Sequence, residues 1–152
     1  MGKITVQTQF GQFCITEEDG AITRLDWEGE DQGDATPLLR EAAAQLGAYD
    51  AGTLTEFDLP LRVTGTPFQQ AVCKAMSAIP YGETVTYGDI AKALDHPAQA
   101  VGGACGSNPI PIIIPCHRVM GAGGKLTGFS GAGGVETKVA LLIHENAGGL
   151  LI

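Results

Sequence analysis

Positive charge is scarce in this chain. Nine Lys and Arg stand against 17 Asp and Glu, for a formal net charge of −8. A basic footprint over the whole surface, the common mark of a nucleic-acid binder, is excluded. Long apolar runs are missing too. The most apolar stretch, Ile110 to Pro115, is far too short to cross a bilayer, so no membrane partner is expected. The N-terminus, MGKITVQTQF, lacks the apolar core and small-residue cleavage site of a secretory signal. Cysteine is limited to Cys14, Cys73, Cys105 and Cys116, with no CxxC pair, and the three histidines complete no zinc pattern. A cytosolic protein with reduced thiols, and no metal or other cofactor, is the expectation.

What is present is unevenly spread. Residues 1–63 carry 12 acidic and 4 basic side chains, a net of −8, whereas residues 64–152 carry 5 of each and balance. All the excess negative charge therefore lies in the first part, and the second part remains able to meet a phosphate backbone, though with few cations.

The first part, 1–63, reads as a small β/α domain. Lys3–Phe10 and Gln12–Thr16 are β-rich runs split at Gly11, as in a hairpin, and Ala21–Trp27 alternates like a third strand. The acidic stretch Glu28–Ala35 is a loop. Thr36 has the character of an N-cap with Pro37 at the first helical position, and Leu38, Leu39, Ala42, Leu46 and Tyr49 make one helical face. Phe57–Val63 is expected to be one more strand. No site chemistry stands out here, and a structural role is expected.

The second part, 64–152, is mostly helical. Thr66-Pro67 opens a helix to about Ile79, with Phe68, Val72, Ala75, Met76 and Ile79 inward and Pro80-Tyr81-Gly82 ending it. Thr86 caps a short helix, Tyr87–Leu94. Asp95-His96-Pro97 makes a tight turn, and a second helix runs from about Pro97 to Cys105. Two short helices joined this way have the pattern of a helix-turn-helix. The second, PAQAVGGACG, is almost all small residues, which suits either close approach to a surface or plain helix–helix packing.

The apolar run Ile110-Pro-Ile-Ile-Ile-Pro115 is expected to be extended and buried. It delivers Cys116-His117-Arg118. A cysteine beside a histidine and an arginine is a place for a stabilised thiolate, because nearby cations lower a thiol pKa and the thiolate is the nucleophile. A buried structural cysteine is the alternative that these three residues alone leave open.

The segment Asn108 to Val119, NPIPIIIPCHRV, resembles the signature of the O6-alkylguanine-DNA alkyltransferases, in which PCHRV carries the acceptor cysteine. The likeness extends upstream through TPFQQAV, IPYGETVTYGDIAKAL and AVGGACGSNP, and downstream through GKLTGFSG and KVALLIHE, covering Thr66 to Glu145. Residues 1–63 match in size and order only. The resemblance implies an α+β protein: a small RNase H-like N-terminal domain, then a helical, winged helix-turn-helix C-terminal domain holding the active site.

It also implies roles. Cys116 would attack the O6-alkyl carbon. His117, through a water, would take the thiol proton, and Glu145 would orient and charge-balance His117, the activated-nucleophile logic of a base held by a third group. Asn108 would tie the recognition helix to the active-site loop, and Tyr87 would help rotate the nucleotide out and assist the leaving guanine at N3. Backbone groups near Val119 and Ser130 would read the guanine edge. Ala98, Gln99, Gly102, Arg118 and Phe129 would face the DNA. The partner would be double-stranded DNA bearing O6-alkylguanine, met through its minor groove by a monomeric protein, with the base extruded because its O6 substituent cannot be reached inside the duplex. No cofactor would be needed, and each molecule would act once, because the thioether is not cleaved.

Two positions depart from the family pattern. The arginine usually found two residues before VGG is Gln99, and the tyrosine usually found before the serine of the closing segment is Phe129. Both changes remove a polar or charged group from the DNA-facing side, and neither touches the nucleophile. A rival reading is an alkyltransferase-like module that binds lesions without transfer. Such proteins lack the acceptor cysteine, which this chain keeps. A thiol redox or hydrolase role would call for a CxxC or an acyl-transfer motif, and neither is present.

Overall fold

In the computed structural model of the chain, residues 1–125 and 134–147 are described. The chain divides into two compact units, Met1–Thr64 and Gly65–Ile152.

The first unit is built on a three-stranded antiparallel meander, β1 (Gly2–Thr8), β2 (Gly11–Glu18) and β3 (Ala21–Asp26). Ile4 pairs with Ile15 and Val6 with Phe13, so the apolar alternation fixes the register. Asp19 and Gly20 join β2 to β3 with φ of 48° and 80°, the two left-handed residues that a two-residue type I′ turn demands. Helix α1 (Pro37–Asp50) starts as its sequence dictates. Pro37 sits in the first turn, and the Thr36 hydroxyl accepts from the Leu39 amide at 3.1 Å. It buries Leu39, Ala42, Leu46 and Tyr49.

The strand expected over Phe57–Val63 is reduced to a single parallel bridge between Ile22 and Leu61. Ile22 donates to the Pro60 carbonyl at 2.8 Å and accepts from the Arg62 amide at 3.0 Å. Pro60 has no N–H of its own, so the ladder stops there.

The second unit is helical: α2 (Pro67–Ser77), α3 (Tyr87–Leu94), α4 (Ala98–Gly106) and α5 (Val135–His144). Thr66 caps α2 through the Gln69 amide at 3.0 Å. Thr86 and Asp89 form a reciprocal capping box on α3, at 3.0 and 2.9 Å. Asp95, at φ 56°, ends α3, and Pro97 starts α4, giving the expected helix–turn–helix. The Gln69 side chain donates to the Ala104 carbonyl at 2.8 Å and so ties α2 to α4.

One local expectation fails. Ile110–Pro115 is buried at Ile110, Ile112, Ile113 and Ile114, but it is not extended. The Ile114 amide reaches back to the Ile110 carbonyl at 2.8 Å and the Ile113 amide to Pro111 at 2.9 Å, so the segment folds on itself. Ile112 sits at φ 73°, a left-handed conformation that is a genuine outlier for a β-branched residue. Two prolines deprive the run of the amides a strand would need.

Candidate active site

Beyond this knot the chain makes one 3-10 turn, Cys116–Arg118, and then β5 (Val119–Met120), which pairs in parallel with β4 (Val85–Thr86), Val85 opposite Val119. Because β4 runs directly into α3, this pairing brings Tyr87, the first residue of α3, alongside the cysteine segment. Asn108 holds the knot from the end of α4. Its amide donates to the Ile114 carbonyl at 2.8 Å, and its side-chain oxygen accepts from the Ile110 amide at 3.0 Å. A hydrogen bond from Asn108 also favours the thiolate form of Cys116.

The next two side chains turn inward onto one carboxylate. Glu145, at the C-cap of α5, is 2% exposed. Its Oε2 lies 2.7 Å from His117 Nε2, and both side chains are fully buried. Arg118 holds the same carboxylate with two prongs, Nε to Oε1 at 2.8 Å and a terminal nitrogen to Oε2 at 3.0 Å. Its other terminal nitrogen donates to the Ile79 carbonyl at 2.7 Å, and the guanidinium lies 5.7 Å from the Tyr81 ring centroid. A buried carboxylate needs this much compensation.

The expectation that Arg118 faces DNA is therefore corrected: it is 6% exposed, and its donors are turned into the fold. Nor do His117 and Arg118 supply positive charge to the thiol as their adjacency implied. Burial lowers the His117 pKa, outweighing the support of Glu145, so the ring is neutral at pH 7. With Nε2 donating to Glu145, the neutral tautomer leaves a lone pair on Nδ1. That nitrogen is buried and has no hydrogen-bond partner among the described residues. Burial pushes the Cys116 thiol up, while Asn108 and Lys138 act against the shift.

Lys138 is a buried charge that the motifs of the sequence do not mark. It is fully buried on α5, donates to the Val119 carbonyl at 2.5 Å and lies 5.8 Å from the centroid of the Tyr87 ring. The signal was present in the sequence: Lys138, Leu141, Leu142 and Glu145 fall at i, i+3, i+4 and i+7, one buried helical stripe with a charge at each end.

Ala98 and Gln99 are exposed in the first turn of α4, and Gly102 is half-buried on the same helix. Val119 is buried with its carbonyl engaged by Lys138. Phe129 and Ser130 lie outside the described residues. Cys73 and Cys105 are buried as expected of core residues, and burial pushes the Cys105 thiol up to about 12.

Residues 67–147 match the DNA binding domain, and residues 1–63 the ribonuclease-like domain, described for 6-O-methylguanine DNA methyltransferase. The chain is 55% identical over 150 residues to a methylated-DNA–protein-cysteine methyltransferase of Mycolicibacterium paratuberculosis, covering 93% of this chain and 90% of that one. A counterpart in Mycobacterium tuberculosis is 59% identical over 108 residues, covering 70% of this chain, and the match spans 64% of that relative's own length. The crystal structure of the Mycobacterium tuberculosis O6-methylguanine methyltransferase is similar at a TM-score of 0.83 and 44% identity, covering 95% of this chain and 92% of the other.

Proposed function

The chain belongs to the 6-O-methylguanine DNA methyltransferase family, and from that premise we propose that it repairs O6-alkylguanine in DNA by moving the alkyl group onto its own Cys116. The observation that carries the reading is a buried, neutral histidine, next in the chain after a buried cysteine, whose Nε2 is held by a buried carboxylate.

The chemistry follows from the protonation states. The Cys116 proton passes, relayed through a water, to the lone pair on His117 Nδ1. The resulting imidazolium is stabilised by Glu145, which already accepts from Nε2. The thiolate attacks the alkyl carbon in line with the departing oxygen. The S–C bond forms as the C–O6 bond breaks, and the electron pair is left on the guanine, which takes up a proton with help from the Tyr87 hydroxyl. Cys116 ends as a thioether that the site has no means to cleave, so each molecule acts once.

The DNA-facing element is the helix-turn-helix, with α4 as the recognition helix. Ala98 and Gln99 are exposed where its first turn would enter the minor groove, and Gln99 takes the place of the extruded base. The protein acts as a monomer. Incubation with an oligonucleotide carrying O6-methylguanine, followed by peptide mass spectrometry, is the test. The expected result is one methyl group on Cys116. Binding without any mass gain would make the protein a lesion-binding module, and a methyl group on Cys73 or Cys105 would displace the assignment of the acceptor.

A further inference from the structure

His117 and Glu145 lie 28 residues apart in the chain, so the gap between them is set by whatever packs their two segments together. One turn meets both segments. Pro80–Glu83 is closed by the Glu83 amide, which donates to the Pro80 carbonyl at 3.1 Å, and Gly82 takes φ 84°, the left-handed value that a type II turn places on glycine. A Cβ at Gly82 would meet the Glu145 carbonyl at 3.6 Å, so the turn lies against the end of α5. The residue before the turn, Ile79, accepts from Arg118 at 2.7 Å. Tyr81, half-buried in the turn, has its ring centroid 5.7 Å from the Arg118 guanidinium carbon and donates its hydroxyl to the His144 carbonyl at 3.4 Å.

We propose that Tyr81 is a positioning residue for the His117–Glu145 pair: one side chain braces Arg118, the residue after His117, with its ring and His144, the residue before Glu145, with its hydroxyl.

The purpose of this brace rests on the transfer reading, but its geometry does not. The face of a phenol ring attracts a guanidinium, and a half-buried ring over a group that is 6% exposed also keeps water from the Arg118–Glu145 fork, where water would screen the attraction. The phenol suits both contacts, with an apolar body for the cluster and a polar tip for the carbonyl at the end of α5. Burial and the nearby Glu145 push the Tyr81 phenol up, with Arg118 acting against them, so the hydroxyl keeps the proton it donates. The charges that act on His117 come from Glu145 and Lys138 on α5 and from Arg118 on its own turn, and Tyr81 bears on two of those three. Loosening Arg118 frees the Glu145 carboxylate to move, and His117 Nε2 then loses the acceptor that fixes its tautomer. A tyrosine kept only to fill the turn would affect stability and leave the imidazole proton where it is.

The first measurement needs no DNA. Full-length wild type, Y81F and Y81M are labelled with 15N-histidine, and NMR follows the His117 ring, identified by its loss in His117→Asn. In wild type the Nε2 proton should be bound to Glu145 and slow to exchange with water. In Y81M it should exchange roughly tenfold faster, the scale of one desolvated cation–π contact, with the two tautomers mixed. Y81F should stay nearer wild type, because it keeps the ring and loses only a long hydrogen bond. Unchanged exchange and an unmixed tautomer in a cooperatively folding Y81M overturn the proposal. Should Y81M fail to fold, Y81F is compared with the protein carrying pentafluorophenylalanine at position 81, a ring of similar shape whose face repels a cation. Faster exchange in the fluorinated protein is expected, and equal exchange overturns the proposal. The second measurement is the single-turnover rate at saturating O6-methylguanine DNA. Y81M should be about tenfold slower at unchanged DNA affinity, and should add little further slowing in a Glu145→Gln background, because the two changes act through one pair. Fully multiplicative losses overturn the proposal. Absence of transfer in wild type, with the difference in exchange intact, would retire the repair reading and leave the role of Tyr81 standing.

Discussion

His117 Nε2 lies 2.7 Å from Glu145 Oε2, with both side chains out of solvent. In such a pair the carboxylate fixes the ring's tautomer and supports the charge that forms when Nδ1 takes a proton. His117→Ala should slow alkyl transfer to Cys116 by roughly 10²–10⁴-fold, the range of a lost general base. Glu145→Gln should slow it less. The double variant should fall well short of the product of the two losses, since coupled residues are not additive. Single-turnover rates on O6-methylguanine DNA decide it, and fully multiplicative losses would break the link between the two.

Arg118 completes the same cluster, so its substitution should register as instability. Arg118→Met leaves the Glu145 carboxylate buried with its fork gone, at a cost of about 3–5 kcal/mol. Arg118 also holds the His117 pKa down, so its removal should raise that pKa. Urea unfolding measures the first effect, and a histidine NMR titration the second. A variant of unchanged stability whose DNA affinity alone dropped would return Arg118 to the DNA-facing surface.

Acid should destabilise the protein in a definite window. The unfolded chain binds a proton at His117 as pH drops through about 6.5, whereas burial keeps the folded ring neutral to lower pH. The stability from this group is whole above that pH and is lost as pH falls, by up to about 1.4 kcal/mol per pH unit. Urea midpoints from pH 7.5 to 5 should show the slope in wild type and a shallower one in His117→Asn. Equal slopes would assign the acid sensitivity elsewhere.

Some of this was legible before any coordinates. Thr36, Thr66 and Thr86, each followed by a helical apolar pattern, marked three helix starts, because a cap is a local signal that needs no tertiary context. Cys116, His117 and Glu145 were legible through resemblance, and the structure brings His117 and Glu145 into contact. The direction of Arg118 was not, since a side chain after a buried segment can turn either way and the choice depends on Glu145, 27 residues on. Lys138 belongs to no motif that names its role, and only its spacing to Leu141 and Leu142 marks it as lying on the core face. Ile110–Pro115 misled because a short apolar run fits a buried strand and a buried turn equally well.

That turn carries its own prediction. Ile112 is 1% exposed and has φ of 73°. Truncation to Ala should cost about 2–5 kcal/mol in lost packing and cavity. Glycine adopts this backbone freely, so Ile112→Gly should cost less than Ile112→Ala by about 1 kcal/mol, the reverse of the usual order. Thermal melts of the two variants are enough, and the ordinary order, Ala above Gly, would show that the left-handed conformation is not populated in solution.

Binding to duplex DNA should be weak and only shallowly salt-dependent, and the position of Gln99 offers a way to strengthen it. With Arg118 and Lys138 buried, the exposed cations among the described residues of the second unit are Lys74, Lys92 and Lys125. At about −0.9 in log affinity against log salt for each phosphate neutralised, three contacts give a slope near −3. Gln99 is exposed in the first turn of α4 and carries no charge. Gln99→Arg should make binding tighter and transfer faster, and the gain should be larger on duplex than on single-stranded substrate. The inserted side chain replaces an extruded base, and only a stacked duplex offers that gap. Transfer rates for both proteins on matched duplex and single-stranded oligonucleotides separate the causes. An equal gain on both would mean that the added charge alone was responsible. No gain on either would mean that Gln99 does not enter the stack, and α4 would lose its assignment as the recognition helix.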